Sequence, residues 1–141
     1  ITVHLGRPSD TGAENVTVPF PDYIKNVASS EIYPTWPDSA LRANIYAQIS
    51  FALNRYYTEW YRSRGYDFDI TNSTRYDQSF VPGRDIFENI STIVDDMIGT
   101  YLTPGHHRTV FHRILQRHHR HLPRAVPMGH GGAGEPGLHP L

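Results

Sequence analysis

Residues 23–53, YIKNVASSEIYPTWPDSALRANIYAQISFAL, decide the fold. Tyr23, Ile24, Val27 and Ala28 recur at helical spacing and make one apolar face. Pro21, just ahead, suits a first helical turn, where its missing N–H would have no partner anyway. Glu31 falls four residues after Val27 and three after Ala28, so it extends the same face at the helix end. Pro34 and Pro37 then stop the helix. From about Asp38 to Tyr61 runs the strongest helical pattern of the chain. Leu41, Ile45, Ile49, Ala52, Tyr56 and Trp60 recur every three or four residues, while Arg42, Asn44, Asn54, Arg55 and Glu59 sit mainly off that stripe. Gly65 stands where a left-handed residue commonly closes a helix.

Outward from this pair of helices the pattern changes. ITVHL, at residues 1–5, alternates apolar and polar side chains as a half-buried strand does. The turn-rich GRPSDTGAEN separates it from VTVPF, a second strand able to pair with it. FDITNSTRYDQSFVPG, residues 68–83, carries weak strand and turn signals. RDIFENISTIVDDMIGTYL then spaces Ile86, Ile90, Ile93, Met97 and Tyr101 as on a helix reaching about Ile98, with Gly99 leaving room for a short strand after it. The fold class read from these elements is α+β: short N-terminal strands, a helix ending at Glu31, a long central helix and a third helix.

The 141 residues are 38% hydrophobic and 19% charged, enough for one modest core. A formal net charge of −1 gives no global pull on nucleic acid or acidic lipid. With no cysteine, disulfide and thiol chemistry are excluded. No apolar run approaches the ~20 residues of a membrane-spanning helix. The chain opens on Ile1 rather than Met, which leaves room for an upstream segment.

The helix ending in glutamate, the aromatic and proline turn and the long helix opening on Ala40-Leu41 resemble the SpoIID/LytB family of bacterial cell-wall proteins. The features that carry the resemblance are Tyr23, Val27, Glu31, Pro34, Trp36-Pro37, Ala40-Leu41, Ala43 and Ala47, with Gly65-Tyr66-Asp67 through Gln78 as the later extended tract. It covers roughly residues 16–102 and is particularly like clostridial proteins in which such a segment precedes a peptidoglycan-binding domain. The resemblance implies recognition of peptidoglycan glycan strands and lytic transglycosylation, with Glu31 as general acid and base. A carboxyl on an apolar face at a helix C-terminus is one whose protonated form is favoured, as an acid catalyst requires. Ser29, Ser30, Tyr33, Trp36 and Gln78 are the expected substrate-binding residues, by hydrogen bonding and ring stacking. No cofactor, metal or nucleic acid is expected. The alternative is a non-catalytic peptidoglycan-binding module that targets or enhances a partner wall hydrolase or amidase. Either function belongs at the bacterial cell envelope. Asp77 stands where many members have cysteine, so a cysteine-dependent metal site does not carry over.

After Leu102 the apolar period fades and His, Arg, Gly and Pro take over; every histidine of the chain except His4 lies there. On a helix His118 and His121 would share a face and suit adventitious metal, but Pro123 and the glycines give them no rigid frame. Arg108, Arg113, Arg117, Arg120 and Arg124 suit phosphates, without the interleaved aromatics of a nucleic-acid arm. The favoured reading is a shifted reading frame beginning near Thr103–Gly105. Read one base further along, Met128-Gly129 must give Trp, because Met has one codon and every Gly codon starts with G. Its neighbours then allow Ser-Gln-Trp-Gly, which resembles a family motif missing from the printed chain. Residues 1–102 would thus be a partial SpoIID/LytB-like domain and 103–141 a disordered, out-of-frame tail. Such a truncated domain should expose apolar helix faces around Ile45 and Ile90.

Overall fold

Two prolines frame the entry of the first helix, α1 (Phe20–Glu31), and Asp22 sits in its first turn, where the helix dipole favours negative charge. α1 ends at Glu31 as expected. Ile32 is extended, at φ −129° and ψ 157°, and its N–H closes back on the Ala28 carbonyl. After the turn at residues 33–37 the second helix, α2 (Asp38–Tyr57), starts with the Pro37 carbonyl accepting from both Ala40 and Leu41. The third, α3, spans Glu88–Tyr101 and runs through Gly99 without a break; Ile86 lies ahead of it, 38% exposed. The computed structural model describes residues 1–101. The His/Arg tail, its metal, nucleic-acid and out-of-frame readings, and the boundary at residue 103 all lie outside the described residues.

The two expected N-terminal strands are present and paired. β1 (Thr2–His4) runs antiparallel to β2 (Asn15–Thr17), with Val3 opposite Val16. A third strand, β3 (Ile70–Thr71), adds to the other side of β1 in parallel, giving the order β2-β1-β3. Asp69 locks this long-range pairing: its Oδ2 accepts from the Thr2 N–H at 2.8 Å, and its own N–H donates to the Thr2 carbonyl. In the loop between β1 and β2, a side chain at Gly6 would bring a Cβ to 2.8 Å from that of Ala13, so the close approach needs glycine.

The core lies where the sheet meets three helices. Val3 and Ile70 come from the sheet, Ile24, Val27 and Ala28 from α1, Leu41, Ile45 and Ala52 from α2, and Ile90, Val94 and Met97 from α3. Each large aliphatic fully buried here is worth roughly 1.5–3 kcal/mol relative to exposure. Ile45 and Ile90 are both 0% exposed, so the apolar faces expected to lie open at these residues are covered.

α2 departs from the expected one-sided helix. Every residue from Gln48 to Arg55 is buried, which is more than two turns and therefore all sides of the helix. Asn54 and Arg55, expected off the buried stripe, are 7% and 9% exposed, whereas Tyr56 and Trp60, expected on it, are 45% and 38% exposed.

The helix also stops at Tyr57, before the expected Tyr61, because a Schellman turn closes it. The Trp60 N–H donates to the Arg55 carbonyl and the Glu59 N–H to the Tyr56 carbonyl. Glu59 occupies the left-handed position with φ 53°, a place normally given to glycine. Gly65, at φ 92°, instead closes the short 3-10 turn Arg62–Arg64 that follows. Glu59→Gly is accordingly expected to stabilise the chain by about 0.5–1 kcal/mol, since relief of left-handed strain exceeds the added backbone entropy of the unfolded state. A rise of a few degrees in Tm is the readout. An unchanged Tm would mean that the Glu59 side chain makes compensating contacts.

Candidate functional site

Glu31, the last residue of α1, is 3% exposed and points into a cluster of polar side chains inside the core. Its Oε1 accepts from Gln48 Nε2 of α2 at 3.1 Å. Its Oε2 accepts from the Ser79 N–H, on the segment between β3 and α3, at 2.8 Å. Both donors favour the carboxylate form and offset part of what burial removes.

Gln78, 4% exposed, ties the same three elements together. Its Nε2 donates to the Gln48 carbonyl at 3.0 Å, and its Oε1 accepts from the Tyr23 hydroxyl of α1 at 2.8 Å. Tyr23 in turn stacks on Phe80, with ring centroids 5.5 Å apart. The structure thus joins Glu31 and Gln78, 47 positions apart, through Gln48 and the backbone of Ser79.

The segment carrying Ser79 is strapped to α1. Asn26 grips the Val81 backbone at both ends, Nδ2 donating to its carbonyl at 2.7 Å and Oδ1 accepting from its N–H at 2.9 Å. Ser29 is fully buried: its Oγ accepts from the Phe87 N–H and its carbonyl from Arg84 Nη1. The Ser30 hydroxyl donates to the Asn26 carbonyl at 2.8 Å. Tyr33 is 42% exposed on the turn directly after Glu31 and lies 5.9 Å from the half-buried Trp36, at an interplanar angle of 56°. Of the residues expected to bind substrate, Gln78 is therefore within the carboxyl cluster, Ser29 fastens α1 to the segment ahead of α3, Ser30 bonds back within α1, and Tyr33 and Trp36 form an aromatic pair at the surface just after it.

Behind Gln78 sits a second buried cluster. Asp77 Oδ1 accepts from Arg55 Nε at 2.6 Å, and its Oδ2 accepts from the Tyr61 hydroxyl, the Thr71 hydroxyl and the Thr71 N–H. The Arg55 guanidinium stacks on Trp60, 4.4 Å from the ring centroid, and on Phe51, at 4.7 Å. Asp77 thus meets a guanidinium at the position where many family members carry cysteine. Among the described residues no three His, Cys, Asp or Glu side chains gather to hold an ion.

Two phenols in this region are held neutral. Burial, then the nearby Asp77 and Glu31 carboxylates, push Tyr23 well above its ordinary value. Burial, then the charge of Asp77 and its hydrogen bond, push Tyr61 up as well. Both folded values lie above the unfolded one near 10, so between them the folded state holds more protons. Stability is therefore unaffected by these groups below about pH 10 and is lost as pH rises, at up to ~1.4 kcal/mol per pH unit for each tyrosine. Urea midpoints at pH 9 and pH 11 should differ accordingly, and absorbance at alkaline pH should show two of the nine tyrosines ionising only on unfolding. Free titration of all nine in the folded chain would contradict it.

Gln48, Asp77 and Arg55 escaped the sequence reading as a polar network. One signal was present for Gln48: it lies seven residues after Leu41 and three after Ile45, a polar residue inside an apolar stripe. No helix of the described residues is long and apolar enough to cross a membrane.

The SpoIID family, described as stage II sporulation protein, matches residues 10–103 of the chain. No curated protein and no solved structure matches it.

Proposed function

Because the chain belongs to the SpoIID family of stage II sporulation proteins, we propose that it acts on the glycan strands of peptidoglycan at the bacterial cell envelope, with Glu31 as the acid and base of lytic transglycosylation. What supports this is the placement of Glu31, a carboxyl almost out of water at the end of a helix, taking N–H groups from Gln48 and Ser79. Protonated Glu31 gives its proton to the glycosidic oxygen as the C1–O bond of the muramic acid unit breaks. The C6 hydroxyl of the same sugar closes onto C1, and its proton returns to Glu31. No water is consumed and no second carboxylate is needed, unlike the paired-carboxylate hydrolases. The donors from Gln48 and Ser79 stabilise the carboxylate that exists between the two transfers. At 3% exposure Glu31 meets a sugar only if part of its cover, which includes the backbone of Ser79 bonded to it, shifts on binding. In this reading Tyr33 and Trp36 stack on sugar rings, and Gln78 hydrogen-bonds a sugar once that cover has moved.

The same low exposure favours a second reading, a non-catalytic glycan-binding module that brings a partner wall hydrolase or amidase to its substrate. Incubation with purified glycan strands separates the two. Anhydro-muramyl ends produced by the chain and absent with Glu31→Gln support the enzyme. Retained binding with no such ends from either protein supports the module.

A further inference from the structure

Gln48 is 0% exposed in the middle of α2, and its Oε1 has no hydrogen-bond partner among the described residues. A buried acceptor left unpaired costs stability, and a hydrocarbon of the same length would avoid that cost. Its amide is nevertheless aimed at Glu31, with Nε2 3.1 Å from Oε1 of the carboxyl. The helix position is fixed independently by Gln78, whose Nε2 holds the Gln48 carbonyl.

An amide carries a donor and an acceptor at equal reach, and half a turn about its last torsion exchanges them. A carboxylate needs a donor opposite it, whereas a protonated carboxyl can offer its O–H to an acceptor. We propose that Gln48 is the positioning residue of the carboxyl site, an amide that holds Glu31 in one place through both protonation states. The Nε2 contact present in the structure serves the ionised carboxylate, and Oε1 accepts once Glu31 is protonated. The orphaned oxygen is then the idle half of a two-state contact. This rests on the acid and base role given to Glu31 above, where the carboxyl must change state twice in each turnover without losing its aim.

Other charged and titratable groups surround the cluster: Tyr23 on α1, Arg55 on α2, and Tyr61, Asp77 and Arg84 on the segments packed against them. The acidic residues of α3 that form ion pairs do so near the surface, Asp95 with Lys25 and Asp96 with Arg42. The Tyr23 and Tyr61 hydroxyls are engaged with Gln78 and Asp77, whereas the Gln48 amide is directed at the Glu31 carboxyl.

Gln48→Met keeps the length of the side chain and removes both halves of the contact. A hydrogen bond to a charged group is about twice as strong as one between neutral groups, so the carboxylate loses more than the acid. The ionisation midpoint of Glu31 should therefore rise, by roughly 0.5–1 pH unit. It is read by carbon NMR of the full chain labelled at the glutamate carboxyls, with Glu31→Gln identifying the resonance among the five glutamates. Gln48→Glu, which preserves shape, should raise the midpoint further by placing a second carboxyl there, and serves if the Met variant fails to fold. On glycan strands, Gln48→Met should lower kcat about tenfold with KM little changed, since what is lost is aim rather than substrate binding. A Glu31 midpoint unmoved in both variants overturns the proposal whatever the activity. A shifted midpoint in a chain whose parent cleaves no glycan keeps the Gln48 contact and overturns the enzymatic reading instead.

Discussion

Asp77→Asn is expected to lower the unfolding free energy by about 3–5 kcal/mol, the usual consequence of removing one partner of a buried ion pair. The Asp77 side chain is fully buried and that of Arg55 is 10% exposed. One carboxylate oxygen takes the guanidinium, and the other takes two hydroxyls and a backbone N–H. Every neighbour is a donor. An amide at this position presents its own NH₂ group to donors on one side or the other and leaves the Arg55 charge uncompensated beneath Trp60. Adding Arg55→Met should recover much of the loss, because the larger part of it is the stranded charge rather than the missing attraction. Urea denaturation of the two single variants and the double variant measures both quantities. A loss below about 1 kcal/mol for Asp77→Asn would mean that water reaches Arg55. Asp77 also immediately precedes Gln78 and Ser79, so the same variant should loosen the N–H that Ser79 gives to Glu31.

This network explains which parts of the molecule can be read from its residues in order. The end of α1 at Glu31 is legible because an apolar face runs out just before two prolines, and both signals are local. The pairing of β1 with β2 is legible for the same reason. β3 is only two residues long and pairs with a strand 67 positions away, so nothing in its own neighbourhood marks it. Arg55 reads as solvent-facing because a charge is buried only when a partner meets it, and that partner lies 22 residues later in a stretch with weak periodicity. The end of α2 was misplaced on similar grounds. Gly65 is the residue type that favours the left-handed conformation, yet Glu59 adopts it, held by the Schellman hydrogen bonds and by Trp60 lying against Arg55. Of the carboxyl site, the residue type and position of Glu31 are visible in the sequence. Its donors are not, since one is a backbone N–H and the other a glutamine that looks like a flaw in an apolar stripe.

Glu31→Gln is expected to reduce glycan cleavage by roughly 10²–10⁴-fold, the contribution of a positioned general acid and base, and toward the upper end because no second carboxylate shares the work. Stability should move the other way, staying level or rising slightly. The oxygen of the introduced amide can keep the Ser79 N–H. Its NH₂ group then faces Gln48, whose own amide need only turn over to present Oε1, the acceptor that now lacks a partner. One buried charge disappears and the number of hydrogen bonds at the site is kept, the unpaired half of Gln48 passing from its oxygen to its nitrogen. Catalytic loss at unchanged or higher Tm is the pattern of a group kept for chemistry at some cost to the fold. Cleavage that survives the substitution would remove Glu31 from the reaction. A large drop in Tm would show that the carboxylate holds the Ser79 segment in place, a structural duty that the non-catalytic module also requires.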